Sequence, residues 1–388
     1  MTMKGKKKKK PAICLIITVL AFLIIGAAGF YFINSKKTSP IERPAYEEMY
    51  VSTSKFVKLI GTVDHLVYES LYNEGVNEED ISFSEVIPRH ENDRDWDFTE
   101  LSVRTDTRET LKKLSGSIAG KINALSPDVT FKSAAASKKQ YVIDINIIGL
   151  HTHRVLLACW SKKEPEVSDL PRIAFIIDDI GYDKSIARSF LELDIPVSLS
   201  VLPYAPYSRK IAASIVKNNG EMLLHLPMQP KKYPEVDPGK GALMTDMDRD
   251  TIQRLVREEI ALLPGLKGVN HHMGSLFSED SIKMKHALDE IKKYDLFYID
   301  SRTSNKTSAY KVAKALGIHT AEKSLFIDND LSEEALKFQM DRLLGIARTK
   351  GQAIGIGHPH RETYNILLKY SELLRKSYNV VYVSNLVE

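Results

Sequence analysis

The sequence predicts an α/β protein. Parallel β/α units over residues 172–388 close into a barrel or spread into a doubly wound sheet, and a small α+β domain and an N-terminal transmembrane helix precede them. Three observations lead there. From Ile173 onward, short apolar runs alternate with stretches of helical periodicity, which is the pattern of βαβ units. Most of those runs stop abruptly at an Asp or a His. Residues 11–33 are almost wholly apolar and carry no charge.

In chain order, residues 1–10 form a basic tail that is expected in the cytoplasm. Lys4 and Lys6 to Lys10 supply its six positive charges, so the formal net charge of +4 hides a slightly acidic body. A nucleic-acid partner is therefore not expected. Residues 11–33 come next and, at about 1.5 Å per residue, are long enough to cross a bilayer core of roughly 30 Å. The lysine cluster before them, against Lys36 and Lys37 after them, orients the N-terminus inward. An uncleaved signal anchor is favoured over a cleaved signal peptide, because the apolar run continues past the small residues Gly26 to Gly29. Either reading places the rest of the chain on the extracytoplasmic side of the cell membrane. The two cysteines, Cys14 and Cys159, predict no intrachain disulfide and no cysteine-rich zinc motif, so any metal must bind through His and carboxylate.

Residues 34–45 read as a linker, and residues 46–160 as the small α+β domain. Phe56, Leu59, Ile60, Val63, Leu66, Val67 and Leu71 recur at helical spacing, and Thr107 is placed to cap a second helix over 108–125. Strands are predicted at 98–105, 129–132, 141–148 and 154–160, the last two pairing through a turn near Gly149. His151 and His153 are expected on a solvated turn. The domain shows no catalytic constellation, and its role stays open, with a surface or partner-binding module as the default. Residues 161–171 carry charged residues and two prolines and mark the boundary.

Beyond it, strands are predicted at 173–178, 196–202, 221–225, 268–272, 296–300, 324–328 and 353–358, with a possible last one at 380–383. Helices are predicted near 184–193, 206–219, 249–262, 279–293, 306–316, 331–350 and 361–376. In a β/α barrel the active site lies at the carboxyl ends of the strands. The strand ends here present Asp178 and Asp179, His225, Asn270 with His271 and His272, Asp300, Asp328, and His358 followed by His360. Each has a plainer role. An Asp after a strand can cap the next helix, a lone His is commonly bonded in a core, and His360 suits a polar loop tip. Adjacent His271 and His272 cannot both face inward from a regular strand, so one is the ligand and the other faces away. One Asp and two His satisfy a hydrolytic zinc site with an open position, and a further carboxylate and imidazole can act as base and acid. Their recurrence at successive strand ends favours a site.

Residues 171–388 resemble the divergent polysaccharide deacetylases, related to the NodB-type carbohydrate esterases. The stretches Ile177-Asp-Asp-Ile-Gly181, His225-Leu-Pro-Met228, Asn270-His-His-Met-Gly-Ser275, Asp300-Ser-Arg-Thr303 and Gly357-His-Pro359 carry the likeness. The resemblance implies a distorted (β/α)7-type barrel, a divalent metal, commonly Zn2+, and hydrolysis of acetyl groups on a glycan. It implies Asp178 as base, Asp179, His225 and His272 as metal ligands, and His358 as acid. Asp300 and Arg302 would support His358 or hold substrate. Asn270, His271, Ser275, Gln229 and His360 are expected to bind substrate or to orient the ligands. NodB-type enzymes usually place two His four residues apart, whereas here Gln229 stands four after His225, so the third ligand comes from another strand. The function expected is a membrane-anchored, metal-dependent deacetylase acting on an acetylated cell-envelope polysaccharide. The alternative is a catalytically inactive glycan-binding or scaffold protein that keeps the fold.

Overall fold

The computed structural model describes residues 54–77, 80–92, 94–137, 139–159 and 170–388. The expected basic tail, anchor (11–33) and first linker lie outside the described residues, as do Trp160 and most of the 161–171 boundary. No described helix is long and apolar enough to cross a membrane. The described residues all belong to one compact unit, Pro44–Glu388.

The smaller layer contains α1 (Lys55–Asn73), β1 (Ile81–Glu91), β2 (Arg94–Thr105), α2 (Arg108–Leu125), β3 (Val129–Ser137), β4 (Gln140–Ile147) and β5 (Leu150–Cys159). Ser54 caps α1 and Thr107 caps α2, each side-chain oxygen accepting a first-turn amide. The five strands run in the order β1-β2-β5-β4-β3, antiparallel except for the parallel β2–β5 pair. Two features differ from expectation. Strand β1 went unpredicted because a register shift after Phe83, a proline and several charges break its apolar alternation. His153 does not sit on a solvated turn. It is buried in β5, with Nε2 3.1 Å from Asp64 Oδ1 and Nδ1 2.8 Å from Thr152 Oγ1.

The larger layer alternates strand and helix. It comprises β6 (Arg172–Ile180), α3 (Lys184–Leu191), β7 (Ser198–Val201), α4 (Ser208–Lys217), β8 (Met222–Met228), α5 (Arg249–Leu262) and β9 (Gly268–Met273). It continues with α6 (Ser281–Ile291), β10 (Phe297–Asp300), α7 (Ala309–Ala315), β11 (Thr320–Glu322), β12 (Leu325–Phe326), α8 (Glu333–Lys350), β13 (Gln352–Gly357), α9 (Arg361–Ser377) and β14 (Asn379–Val380). The parallel sheet runs β11-β10-β9-β8-β7-β6-β13-β12, and β14 pairs beside the start of β6. Its edge strands β11 and β12 are separated in sequence only by Lys323 and Ser324, so the sheet must curl until its two edges nearly meet. The predicted strand at 380–383 shrinks to β14, because the chain then turns at Val383–Asn385 and sends Val383 and Leu386 into the apolar interior of the curl.

Side-chain parity divides the sheet into two faces, because successive residues of a strand point to opposite sides. Ala174, Ile176, Leu223, Phe297, Ile299, Phe326, Ile354 and Ile356 form the inner cluster. Ile173, Phe175, Ile177, Leu224, Val269 and Tyr298 belong to the outer core under the helices. The small layer is docked on α8. Phe83 lies where a Cβ on Gly345 would come within 2.5 Å, so only glycine lets β1 approach that helix. Tyr72 OH donates to Asp341 at 2.9 Å, Arg342 to Thr99 at 2.9 Å, and Asn305 to the carbonyls of Arg89 and Trp96.

One buried acid opposes stability. Glu259 on α5 is fully buried and neither carboxylate oxygen has a hydrogen-bond partner. Burial, with Glu258 nearby, pushes its pKa well above the ordinary value. A carboxyl whose folded pKa is raised contributes stability below its unfolded pKa and loses it as pH rises through the folded one. Glu259→Met is therefore expected to stabilise the chain at pH 8 by about 1–3 kcal/mol, and by less at pH 5. Thermal melts at the two pH values check this; a variant less stable than wild type at both would refute it.

Candidate active site

The inner parity of each strand continues past its apolar part into a polar residue. On β6 the series Ala174, Ile176 leads to Asp178, and on β8 Leu223 leads to His225. On β9 Gly268 leads to Asn270 and His272, after β12 Phe326 leads to Asp328, and after β13 Ile356 leads to His358. All of these polar residues are buried. Asp179 has outer parity, yet it turns inward because its backbone is left-handed, with φ 53°. Met273 (φ 54°), the last residue of β9, and Arg302 (φ 48°), just past β10, are also left-handed. Strain of about 1–3 kcal/mol per such residue collects where a site requires it.

Asp179, His225 and His272 each offer a ligand atom, and these atoms lie within 4.8 Å of one another. Asp179 Oδ1 is 3.1 Å from His225 Nε2 and 2.9 Å from His272 Nδ1. Neither ring aligns for a hydrogen bond, and this buried oxygen has no donor. The His225 tautomer explains part of this. Its Nδ1 lies 3.0 Å from Asn270 Oδ1, while Asn270 Nδ2 donates to both Asp178 oxygens at 2.8 and 3.1 Å and to Ser301. Asn270 Oδ1 therefore accepts a hydrogen bond from His225 Nδ1–H, and in the neutral ring Nε2 is left with a lone pair facing a carboxylate oxygen. Two such groups need a proton or a cation between them. Burial would raise the Asp179 pKa, but His272 and His225 outweigh it and hold the carboxyl well below its ordinary range. The donor set of one carboxylate and two imidazoles fits a hydrolytic divalent ion with an open position.

Asp178 sits beside this cluster, with Oδ1 3.6 Å from His225 Nδ1. Burial raises its pKa, and His225, His358 and Asn270 offset that only in part. A carboxylate made more basic in this way suits proton acceptance. His358 Nδ1 is 2.9 Å from Asp328 Oδ1, and its own backbone amide donates to Asp328 Oδ2 at 2.6 Å. Thr363 also donates to Asp328, and Phe326 stacks on the His358 ring with centroids 5.9 Å apart.

Other expected site residues fall elsewhere. His271 is on the outer face, its Nδ1 2.7 Å from Tyr298 OH, and burial pushes its pKa down to about 4, so it is neutral at pH 7. Asp300 does not support His358. It has outer parity and ties its own loop, accepting from the Arg302 and Tyr310 amides and from Thr307. Arg302 lies 3.4 Å from Glu322. Gln229 Oε1 accepts from the amide and hydroxyl of Thr245, and Ser275 Oγ accepts the Lys231 amide, so both brace the loop that follows β8. His360 stands at the N-cap of α9, with its ring 6.3 Å from that of His358. The sequence reading assigned no role to Asp328, which holds His358, or to Ser200, which donates to Asn270. Asp328 was recoverable, because the run Leu325–Ile327 ends on it with inner parity. Ser200 lies inside an apolar strand and gave no such signal.

Residues 175–387 match the family model described as divergent polysaccharide deacetylase. Over 216 residues the chain is 30% identical to the uncharacterized protein YibQ of Escherichia coli (strain K12), covering 56% of this chain and 67% of that one. It is 28% identical over 220 residues to an uncharacterized protein of Haemophilus influenzae, covering 55% and 76% respectively. The crystal structure of an uncharacterized protein from Agrobacterium tumefaciens C58 superposes with a TM-score of 0.54 at 22% identity, over 59% of this chain and 92% of that one. That likeness concerns the fold.

Proposed function

We propose, on the premise that the chain belongs to the divergent polysaccharide deacetylase family, that it is a membrane-anchored, metal-dependent hydrolase removing acetyl groups from a cell-envelope polysaccharide. The observation that carries this reading is the buried cluster of Asp179, His225 and His272 at the carboxyl ends of the strands. These three residues would hold a divalent ion, with Zn2+ preferred for this donor set. When bound, the ion supplies Lewis-acid polarisation of the acetyl carbonyl and acidifies the attacking water.

The remaining chemistry belongs to the chain. Asp178, aligned by Asn270, takes the proton from the attacking water. His358, aligned by Asp328, gives a proton to the departing sugar nitrogen or oxygen. Asn270 joins the two halves, since it fixes the His225 tautomer and the Asp178 carboxylate at once. The products are acetate and a deacetylated sugar. The basic tail and the apolar residues 11–33 support a single membrane pass with the hydrolase on the extracytoplasmic side.

Metal analysis of the purified full chain tests the reading. About one divalent ion per wild-type chain is expected, falling to near zero in His225→Ala and in His272→Ala. A folded wild-type chain that stays metal-free in excess zinc would favour the non-catalytic glycan-binding alternative.

A further inference from the structure

The small layer and the curled sheet enclose a cleft of about 930 Å³ that has no part in the chemistry above. One wall comes from α1 and the β1–β2 hairpin, including Ile60, Asp97 and Trp96, and the other from β12 and α8, including Phe326, Phe338 and Gln339. None of the catalytic residues lines the cleft, but two of its wall residues touch their neighbourhood. Phe326 lines it and also stacks on His358. Thr303 lines it and donates to the carbonyl of Met273, the residue after His272. Asn305, on the same loop, holds the hairpin in place through Arg89 and Trp96.

Two residues of this lining each carry an unmet buried polar atom. Arg342 is only 6% exposed, and its buried Nε has no hydrogen-bond partner. Gln339, one helical turn earlier on α8, has a buried Oε1 that also lacks one. A buried donor and a buried acceptor left unmade cost about 1–3 kcal/mol each unless something fills them. The lining carries five Lys or Arg against six Asp or Glu, so the cleft favours an occupant of little net charge. Aromatic and aliphatic surface mixed with amide and carboxylate groups suits a ligand with apolar ring faces and hydroxyl edges.

We propose that this cleft binds the neutral carbohydrate chain flanking the acetylated sugar, so that the small α+β layer completes the substrate site and selects polymer over monomer. The proposal rests on the hydrolase reading only for what sits at the catalytic end. The probes are the hexamer and the monomer of N-acetylglucosamine, binding to the full chain in detergent as measured by calorimetry, with hydrolysis of 4-nitrophenyl acetate followed in parallel. The variants are Gln339→Leu on α8 and Asp97→Ala on β2, each checked by thermal melt, and neither belongs to the catalytic machinery. Wild type should bind the hexamer at least about tenfold more tightly than the monomer. Each variant should lose about tenfold in hexamer affinity while its hydrolysis of the small ester is unchanged. Equal affinity for hexamer and monomer, or hexamer binding unaltered in both variants, would overturn the proposal and leave the hydrolase reading intact. Failure of that reading has a different signature: no ester hydrolysis, with length-dependent binding still lost in the variants.

Discussion

Asp179→Asn is expected to empty the metal site and to lower acetate release by about 10³-fold or more, the scale of several kcal/mol of transition-state stabilisation. Asn is the informative replacement. Position 179 has φ 53°, a left-handed conformation that Asn tolerates and Ala does not, so the fold is kept while the charge is removed. Asp179 is the one anionic member of the three-residue cluster, and its Oδ1 is the atom that both imidazoles approach. Without it, two imidazoles and no anionic ligand are left to hold a divalent ion, and occupancy should drop below stoichiometric. Asp179→Ala should lose metal equally and also melt at a lower temperature, because the left-handed backbone then costs about 1–2 kcal/mol. The measurement is ion content and acetate release, alongside melting curves. An Asn variant that still carries one ion per chain and turns over at the wild-type rate would show that the cluster is not the centre of the chemistry.

Much of this arrangement was legible before any coordinates. Strict alternation along the strands places Asp178, His225, Asn270, His272, Asp328 and His358 on one face: four of them lie an even number of residues from an inward apolar residue, and Asn270 and His272 lie an odd number from the outward Val269. The same arithmetic sets His271 and Asp300 outward, where the structure finds them bonded to Tyr298 and within the 300–310 loop. Asp179 breaks the rule, since it reaches the site through a backbone turn that no periodicity announces. A barrel-like sheet was expected, but the place where its two edges approach was not legible. It depends on β11 and β12, which are three and two residues long and too short to leave a hydrophobic signature. The docking of the small layer was hidden as well. It rests on Phe83 meeting Gly345 and on Arg342 meeting Thr99, pairs more than 240 residues apart in the chain.

Asp328→Asn should reduce kcat by about 10²-fold or more while leaving KM nearly unchanged, which is the scale of a lost general acid. Asp328 belongs neither to the ligand cluster nor to the cleft lining, and it holds His358, so its effect on catalysis is expected through that ring. Burial would raise its pKa, but His358 and the hydrogen bonds from Thr363 and the His358 backbone outweigh that and keep the carboxyl ionised and low. The carboxylate in turn favours the protonated ring and fixes Nδ1 as the end that faces away from the reaction. An amide at 328 supplies no charge and can present either a donor or an acceptor, so the imidazole loses both its proton affinity and its fixed tautomer. The alkaline limb of the kcat profile should then move to lower pH, because the ring gives up its proton earlier. A stability change should accompany this with the opposite pH sense. A carboxyl with a lowered folded pKa contributes stability above its unfolded pKa and loses it as pH falls, so the variant should be less stable than wild type near pH 7 and converge with it in acid. A structural role alone predicts the stability change and no movement of the alkaline limb. A variant that melts lower yet keeps the wild-type kcat profile would remove His358 from the acid role, and the leaving group would then need another proton donor.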